Sequence, residues 1–548
     1  MRGACARARG SALPGLAHGI DRLVTESADN GERGAPAARR AGLVLGALGF
    51  LVLLLWPGLS LTYEQRAVAA TTVLTALLWI TVAVPVAAAS LLPVVLFPVL
   101  GVMTAKEAAP LYMSDLVLLF IGAFIIALGL ERWGVHRRIA LWIIARVGTG
   151  ERRLVLGFMV AAAFLSMWIN NTATTLLMLP IGLAVIASVG GDEAGESKGP
   201  SPFAMALLLG IAYSASVGGM ATPVGTVPNQ VFLGQFEGAF ARGPKISFGE
   251  WFFAWTPLVV IFVPIAWLLL TRVIHRVPRD TGMGAEAIHG ERARLGPMSR
   301  PQILMSVIFV ATAVLWVTRA DLVLGNFRIP GWSRLLMGDA AHDPAWYALH
   351  KNDVSDSTVA TFMAVLCFFI PSGRKRGEYL MNWKTASKLP WEVLLLLGAG
   401  FCIARGFNES GLDTVLGGLL SPLFEGRSTW VIVAGVVLFM SLLTEVTSNT
   451  ATTNVLLPVI ASAAITSGVN PLLVMMPATI AASAAFMLPV ATPPNAVVFA
   501  SRLVPVPAMV RAGIWLNLVM VALITIVFQL WVRPLWGIGV ALPEWAQP

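Results

Sequence analysis

Long apolar runs separated by short polar stretches recur along almost the whole of this 548-residue chain. Most are long enough for a helix to cross a bilayer core of about 30 Å. The pattern predicts eleven crossings, near 41–56, 67–86, 88–104, 115–131, 203–233, 251–275, 301–319, 357–371, 391–408, 471–501 and 506–533. The second and third come from one run, divided at Pro85 because proline disfavours a continuous helix. Two further runs, 153–189 and 429–466, are too long for one span. Asn170-Asn171-Thr172 interrupts the first in its middle, and Ser448-Asn449-Thr450 interrupts the second. These residue types cap helices better than they fill them. Each run is therefore expected to form a re-entrant hairpin, two half-helices that meet at a polar tip and return to one side. Non-helical backbone at that depth needs protein or a wet cavity around it. The expected fold is an all-α polytopic membrane protein.

The two halves repeat. Asn170-Asn171-Thr172-Ala173-Thr174-Thr175 is matched by Ser448-Asn449-Thr450-Ala451-Thr452-Thr453, and each leads into an apolar run ending at Pro180 or Pro458. Downstream, Ala221-Thr222-Pro223-Val224-Gly225-Thr226-Val227-Pro228-Asn229 pairs with Ala491-Thr492-Pro493-Pro494-Asn495, and these motifs break crossings 203–233 and 471–501. Away from the tips, 118–123 resembles 394–399 and 129–134 resembles 406–411, so the offset stays near 277 residues. A duplicated polar set in two apolar halves is how many secondary transporters build a midplane site.

Loop charge sets the orientation. With the N-terminus inside, the inner segments hold Arg132, Arg137, Arg138, Arg146, Arg152 and Arg153, then Arg272, Arg276, Arg279, Arg292, Arg294 and Arg300, then Arg374, Lys375, Arg376, Lys384 and Lys388. The outer loop 320–356 carries Asp321, Asp339, Asp343, Asp353 and Asp356 against Arg328, Arg334 and Lys351. By the positive-inside rule the first hairpin opens to the cytoplasm and the second to the outside, so the halves are inverted repeats. The chain divides into a tail (1–40), a first helix and loop (41–66), a first repeat (67–275), a cytosolic linker (276–300), a second repeat (301–535) and a C-terminal tail (536–548).

Composition narrows the function. At 57% apolar and 12% charged residues the chain is a membrane protein, and its formal charge of +9 lies in loops rather than marking a nucleic-acid surface. Cys5, Cys367 and Cys402 give neither a disulfide framework nor a metal spacing. Residues 1–40 lack the apolar core of a secretory signal and read as a disordered cytosolic tail. No Walker motif supports ATP-driven transport, and no nucleophile–base pair or zinc pattern supports an enzyme. The segment Trp133–Val147 is basic and amphipathic, fit to lie along the inner surface as a connecting arm. Trp332 and Trp346 are expected to pack the long outer loop against its face of the protein.

Each hairpin tip aims two dipoles at one place. The helix that starts there presents free N–H groups, which suit an anion, and the helix that ends there presents carbonyls, which suit a small hard cation. The proline-containing breaks add the same pair of termini from the opposite side. No arginine, lysine or histidine lies in the four motifs, so a bound anion must rely on hydroxyls, amides, dipoles and a neighbouring cation. Glu445 is the one carboxylate beside them, either a functional ionisable group or a structural acceptor at the turn.

At this point the motifs resemble a known family. Ser166-x-x-x-Asn170-Asn171-Thr172, Thr444-x-x-x-Ser448-Asn449-Thr450, Gly225-Thr226-Val227-Pro228-Asn229 and Ala491-Thr492-Pro493-Pro494-Asn495 are similar to the paired Ser-Asn-Thr and proline-proline-asparagine motifs of the divalent anion–sodium symporters, over about residues 70 to 505. The resemblance implies an elevator-type homodimer that takes up dicarboxylates such as succinate, malate or fumarate with Na⁺, some members handling citrate or sulfate. It implies one sodium site at Ser166, Asn170, Asn171 and Gly225, and another at Thr444, Thr447, Asn449 and Ala491. Substrate would meet Asn170, Asn171, Thr172 and Thr226 on one side, and Ser448, Asn449, Thr450, Thr492 and Pro493 on the other. Asn170 stands where serine is usual and Val227 where the first proline is usual, so the first half departs from the pattern. Those departures leave open a Na⁺-independent exchanger or a carrier of sulfate or another oxyanion. A non-transporting anion receptor is the rival of a different class.

Overall fold

The computed structural model describes residues 36–547, apart from 57, 59, 190–200, 279–283, 325–326, 339–341 and 351–352. Most of the expected tail, residues 1–35, lies outside the described residues. The first helix, α1 (Pro36–Leu55), starts five residues earlier than hydropathy suggested and is only 11% buried along its apolar window. It packs on α2 (Tyr63–Thr81), which begins with a reciprocal cap between Thr62 and Gln65.

The run 67–104 breaks where Pro85 predicts, but its second part is not one helix. It forms α3 (Val86–Ala89) and α4 (Leu92–Val99). The eight residues of α4 extend only about 12 Å, too little to cross alone. The Ser90 hydroxyl bonds back to the Val86 carbonyl and accepts from the Trp79 indole, and Pro93 then opens a new helix.

From here the repeat is visible as geometry. α5 (Asp115–Trp133) turns through Gly134 into α6 (Val135–Val147), and both halves use the same elbow. Gly134 and Gly411 each have φ +67°, which a side chain would oppose. α6 is basic and two-faced: Val135, Leu141 and Ile144 are buried, while Arg146 lies over the exposed Trp142. α7 (Glu151–Ser166) and α8 (Asn171–Val189) flank the first polar tip, as the two arms of the expected hairpin would, and α9 (Pro202–Gly218) and α10 (Val227–Ala239) flank the first break. α11 (Phe248–Leu268) ends in a π-helical turn. The hairpin arms of 16 and 19 residues extend about 24 and 28 Å, longer than half-helices.

The linker holds a helix, α12 (Gly284–Leu295), tied to the arm α6. Glu291 pairs with Arg137, and the Arg138 guanidinium donates to the carbonyls of Leu295, Gly296 and Pro297 at 2.6–2.9 Å. After α13 (Arg300–Val317) the outer loop contains an antiparallel two-stranded ladder, β1 (Leu322–Leu324) and β2 (Phe327–Ile329), so the fold is nearly rather than wholly helical. Arg319 pairs with Asp356, and Arg334 with Asp321 at 2.6 Å. Trp332 packs as expected and donates to the Leu315 carbonyl, but Trp346 is exposed and lies against His350 and Gly338.

The second half follows with α14 (Asp356–Phe369), α15 (Trp391–Ser410), α16 (Leu412–Leu420), the hairpin α17 (Thr429–Thr444) and α18 (Asn449–Thr466), and the broken helix α19 (Leu472–Ala482) and α20 (Pro493–Ala500). α21 (Val506–Val527) ends in a π-helical turn, as α11 does. Among the described residues eight helices are long and apolar enough to cross a membrane, with shorter apolar helices between them. The window of α9 is 94% buried, which makes it the central post of the molecule. The halves interlock: α8 packs on α20 of the other half, and α18 packs on α10.

Candidate functional site

Each polar tip meets the helix break of its own half, Met167 through Thr222 and Glu445 through Phe486–Leu488, and each break is stapled by its asparagine. Asn229 donates its amide to the carbonyls of Gly219, Met220 and Thr222 at 2.8–3.4 Å. Asn495 does the same for Ala485 and Leu488 at 3.2 and 3.0 Å. Carbonyls freed where a helix unwinds must find a donor when buried, which is why an amide follows the proline. Gly219 and Gly225 make the first break close-packed, since a Cβ on either would stand 2.8 Å or less from the other's backbone.

Inside that break oxygens converge. The Asn171 amide nitrogen donates to Ser166 Oγ at 2.6 Å, to the Ala215 carbonyl at 3.2 Å and to the Gly225 carbonyl at 3.1 Å. Ser166 Oγ in turn donates its one proton to the Ala215 carbonyl at 2.6 Å. Three neutral oxygens thus meet around one amide, a donor set that suits a small hard cation.

Three of the four residues expected at the first sodium site, Ser166, Asn171 and Gly225, come together here. Asn170 does not join them through its side chain. Its Oδ1 accepts from the Thr172 N–H at 2.7 Å, capping α8. Thr172 is half-buried at the start of α8. Val227 occupies the first position of α10 and keeps an N–H that proline would lack. The Thr226 hydroxyl lies 3.3 Å from the Ser483 hydroxyl and so links the two breaks across the halves.

The second half is built differently in detail. The Thr444 hydroxyl is turned back on the Met440 and Ser441 carbonyls, and the Thr447 hydroxyl bonds the Leu443 carbonyl and Thr452 Oγ1 at 2.7 Å. Asn449 Oδ1 is buried and has no hydrogen-bond partner among the described residues. Ser448 caps α18 through the Ala451 N–H, placing Asn449 and Thr450 in its first turn. Thr492 caps α20 through the Asn495 N–H, with Pro493 and Pro494 opening that helix. The Ala491 N–H returns to the Leu488 carbonyl. No direct hydrogen bond joins Thr444, Thr447, Asn449 and Ala491 among the described residues.

Glu445 bridges the second tip and the second break. Its carboxylate takes the N–H groups of Phe486, Met487 and Leu488 and the Asn517 amide. Residue-type reasoning missed Ala215 and Gln235. Gln235 donates to the Asn454 carbonyl at 2.9 Å, the group that Pro458 leaves without its helical partner. That proline was the available signal.

The family of sodium:sulfate symporters matches residues 38–538 through its transmembrane region. The chain belongs to the divalent anion–sodium symporter family. Two relatives of these symporters, both called sodium-dependent dicarboxylate transporter SdcS, share its length. The Staphylococcus saprophyticus protein is 38% identical, covering 92% of this chain and 93% of its own. That of Staphylococcus aureus strain RF122 is 37% identical, over 91% and 92%. Two solved transporters share the symporter's fold at 14% identity. Neisseria gonorrhoeae MtrF has a TM-score of 0.56 over 91% of this chain and 96% of its own, and Alcanivorax borkumensis YdaH has 0.52 over 91% and 99%.

Proposed function

We propose that this protein is a secondary transporter that couples Na⁺ to uptake of C4-dicarboxylates such as succinate, malate and fumarate across the cytoplasmic membrane. The observation that carries the reading is the set of oxygens around Asn171, beside which the second half offers the buried Asn449 Oδ1, without a hydrogen-bond partner among the described residues. Two relatives named as sodium-dependent dicarboxylate transporters support it. A cation at Ser166, Asn171 and Gly225, and another near Thr444, Thr447, Asn449 and Ala491, would complete an anion site made of neutral groups. The substrate carboxylates then meet Asn171 and Thr172 from one tip, and Ser448, Asn449, Thr450, Thr492 and Pro493 from the other. Helix N-termini supply the positive ends.

In this reading the N-terminus is cytoplasmic, α7–α8 and α17–α18 enter the membrane from opposite faces, and the protein works as a homodimeric elevator. With the tips at mid-depth, arms of about 24–28 Å carry their outer turns beyond the hydrocarbon, which fits Glu151, Arg152 and Arg153 at the start of α7. The family description favours sulfate as a second reading. The deciding experiment is labelled succinate uptake into proteoliposomes with and without a sodium gradient, competed by malate, fumarate, citrate, sulfate and glutamate. Sodium-driven uptake blocked by malate or fumarate but not by sulfate is expected. Uptake indifferent to sodium would replace symport by exchange.

A further inference from the structure

Glu445 is 2% exposed and meets only donors. Its Oε1 accepts from the Phe486 N–H at 2.7 Å, the Met487 N–H at 3.0 Å and the Asn517 amide at 2.6 Å. Its Oε2 accepts from the Met487 N–H at 3.0 Å and the Leu488 N–H at 3.1 Å. Donors face both oxygens, so no acceptor is left for a carboxyl proton and the geometry fits the carboxylate. Among the described residues no arginine, lysine or histidine forms an ion pair with it. Hydrogen bonds orient such a charge but do not cancel it.

The first half has no counterpart. At the matching place Met167 contributes only its backbone carbonyl, which accepts from the Thr222 hydroxyl. The strap between tip and break therefore runs through a carboxyl group in one half and through a backbone carbonyl in the other. Thr444 is the chain neighbour of Glu445, and the segment 486–488 that it grips leads directly into Ala491 and Thr492.

We propose that Glu445 is a positioning residue whose fixed charge draws the coupling cation to the second half, so that this half binds cation more tightly and fills first. The inference rests on the reading that Thr444, Thr447, Asn449 and Ala491 surround a cation. A buried carboxylate without a cationic side chain is costly, and a cation bound nearby relieves that cost where little water screens the pair. The first site lacks this help and depends on neutral oxygens alone.

The test compares variants of the full protein in proteoliposomes. Glu445→Gln keeps the shape and removes the charge. Its sodium half-saturation for succinate uptake should rise about tenfold, and stabilisation by sodium without substrate should weaken in step. Asn517→Leu removes one donor and keeps the charge. It should lower Tm in choline while sodium half-saturation stays within about twofold. Equal sodium shifts in the two variants, or none in Glu445→Gln, would overturn the proposal. Should Glu445→Gln not fold, Glu445→Asp keeps the charge: an unchanged sodium dependence supports the proposal and a tenfold loss of affinity refutes it. Asn449→Ala tests the site itself. If that variant keeps normal sodium dependence, the cation site is wrongly located. If it loses uptake while Glu445→Gln binds sodium normally, only the role of Glu445 falls.

Discussion

Gly225→Ala probes the oxygen cluster by forcing its walls apart. A Cβ at this position would stand 2.5 Å from the Gly219 carbonyl oxygen and 2.7 Å from the Gly219 Cα. Carbon atoms pack at about 3.5–4.0 Å, so the segments must separate by roughly 0.8 Å or more. Neither obstacle is a flexible side chain. The Gly219 carbonyl is held by the Asn229 amide at 3.1 Å, and the Gly225 N–H by the Thr222 carbonyl at 3.3 Å. Overpacking of this kind costs about 1–3 kcal/mol. A metal–ligand distance tolerates changes of only about 0.2 Å, so the Gly225 carbonyl would leave a sodium shell. Sodium half-saturation for succinate uptake should rise about tenfold or more, about 1.4 kcal/mol of lost binding. The assay is the initial uptake rate against external sodium, beside Tm in sodium and in choline. Gly238→Ala serves as control: its Cβ meets nothing within 4 Å, and a helical glycine gains roughly 0.5–1 kcal/mol on becoming alanine. A well-folded Gly225→Ala variant with unaltered sodium dependence would refute the cluster as a cation site.

Three further outcomes are expected. Because the Asn170 carbonyl is committed to the Thr172 N–H, Asn170→Ser should keep uptake and sodium affinity within about threefold, whereas Asn170→Ala should lower stability by about 1 kcal/mol; a large sodium shift in the serine variant would make Asn170 a ligand after all. A site without a fixed cation should prefer the dianion, so succinate uptake should fall as external pH drops from about 7 to 5 while citrate uptake flattens or rises; citrate uptake that climbs with pH would reveal an unlocated positive group. His275, just past the α11 π-turn, is pushed down to about 4 by burial and then by Arg511. Its folded pKa lies below the unfolded one, so its neutral form supports the fold near pH 7 and that support fades as pH falls from about 6.5 towards 4. His275→Gln should lose less Tm than the parent between pH 7 and 5, and equal losses would count against this.

The sequence by itself determined the elements whose cause is local. Apolar run length placed most helices, the Asn170 and Ser448 triplets marked the hairpin tips, and the two proline-asparagine motifs marked the breaks, because capping and proline effects act within a turn or two. Duplication made the second half a check on the first, down to the paired elbows at Gly134 and Gly411. Local pattern failed where side chains from elsewhere set the outcome. Residues 88–104 read as a span, yet Trp79 and Ser90 fold the start of that run into short helices. Asn170 read as a cation ligand, and its Oδ1 also caps the helix that starts at Asn171. Conversely, the Ala215 carbonyl beside Asn171 and the Asn517 amide on Glu445 have no mark in sequence, because 44 and 72 residues separate the partners. Only the tertiary packing within each half decides which backbone oxygens meet, since such a meeting depends on distances across the fold rather than on residue type.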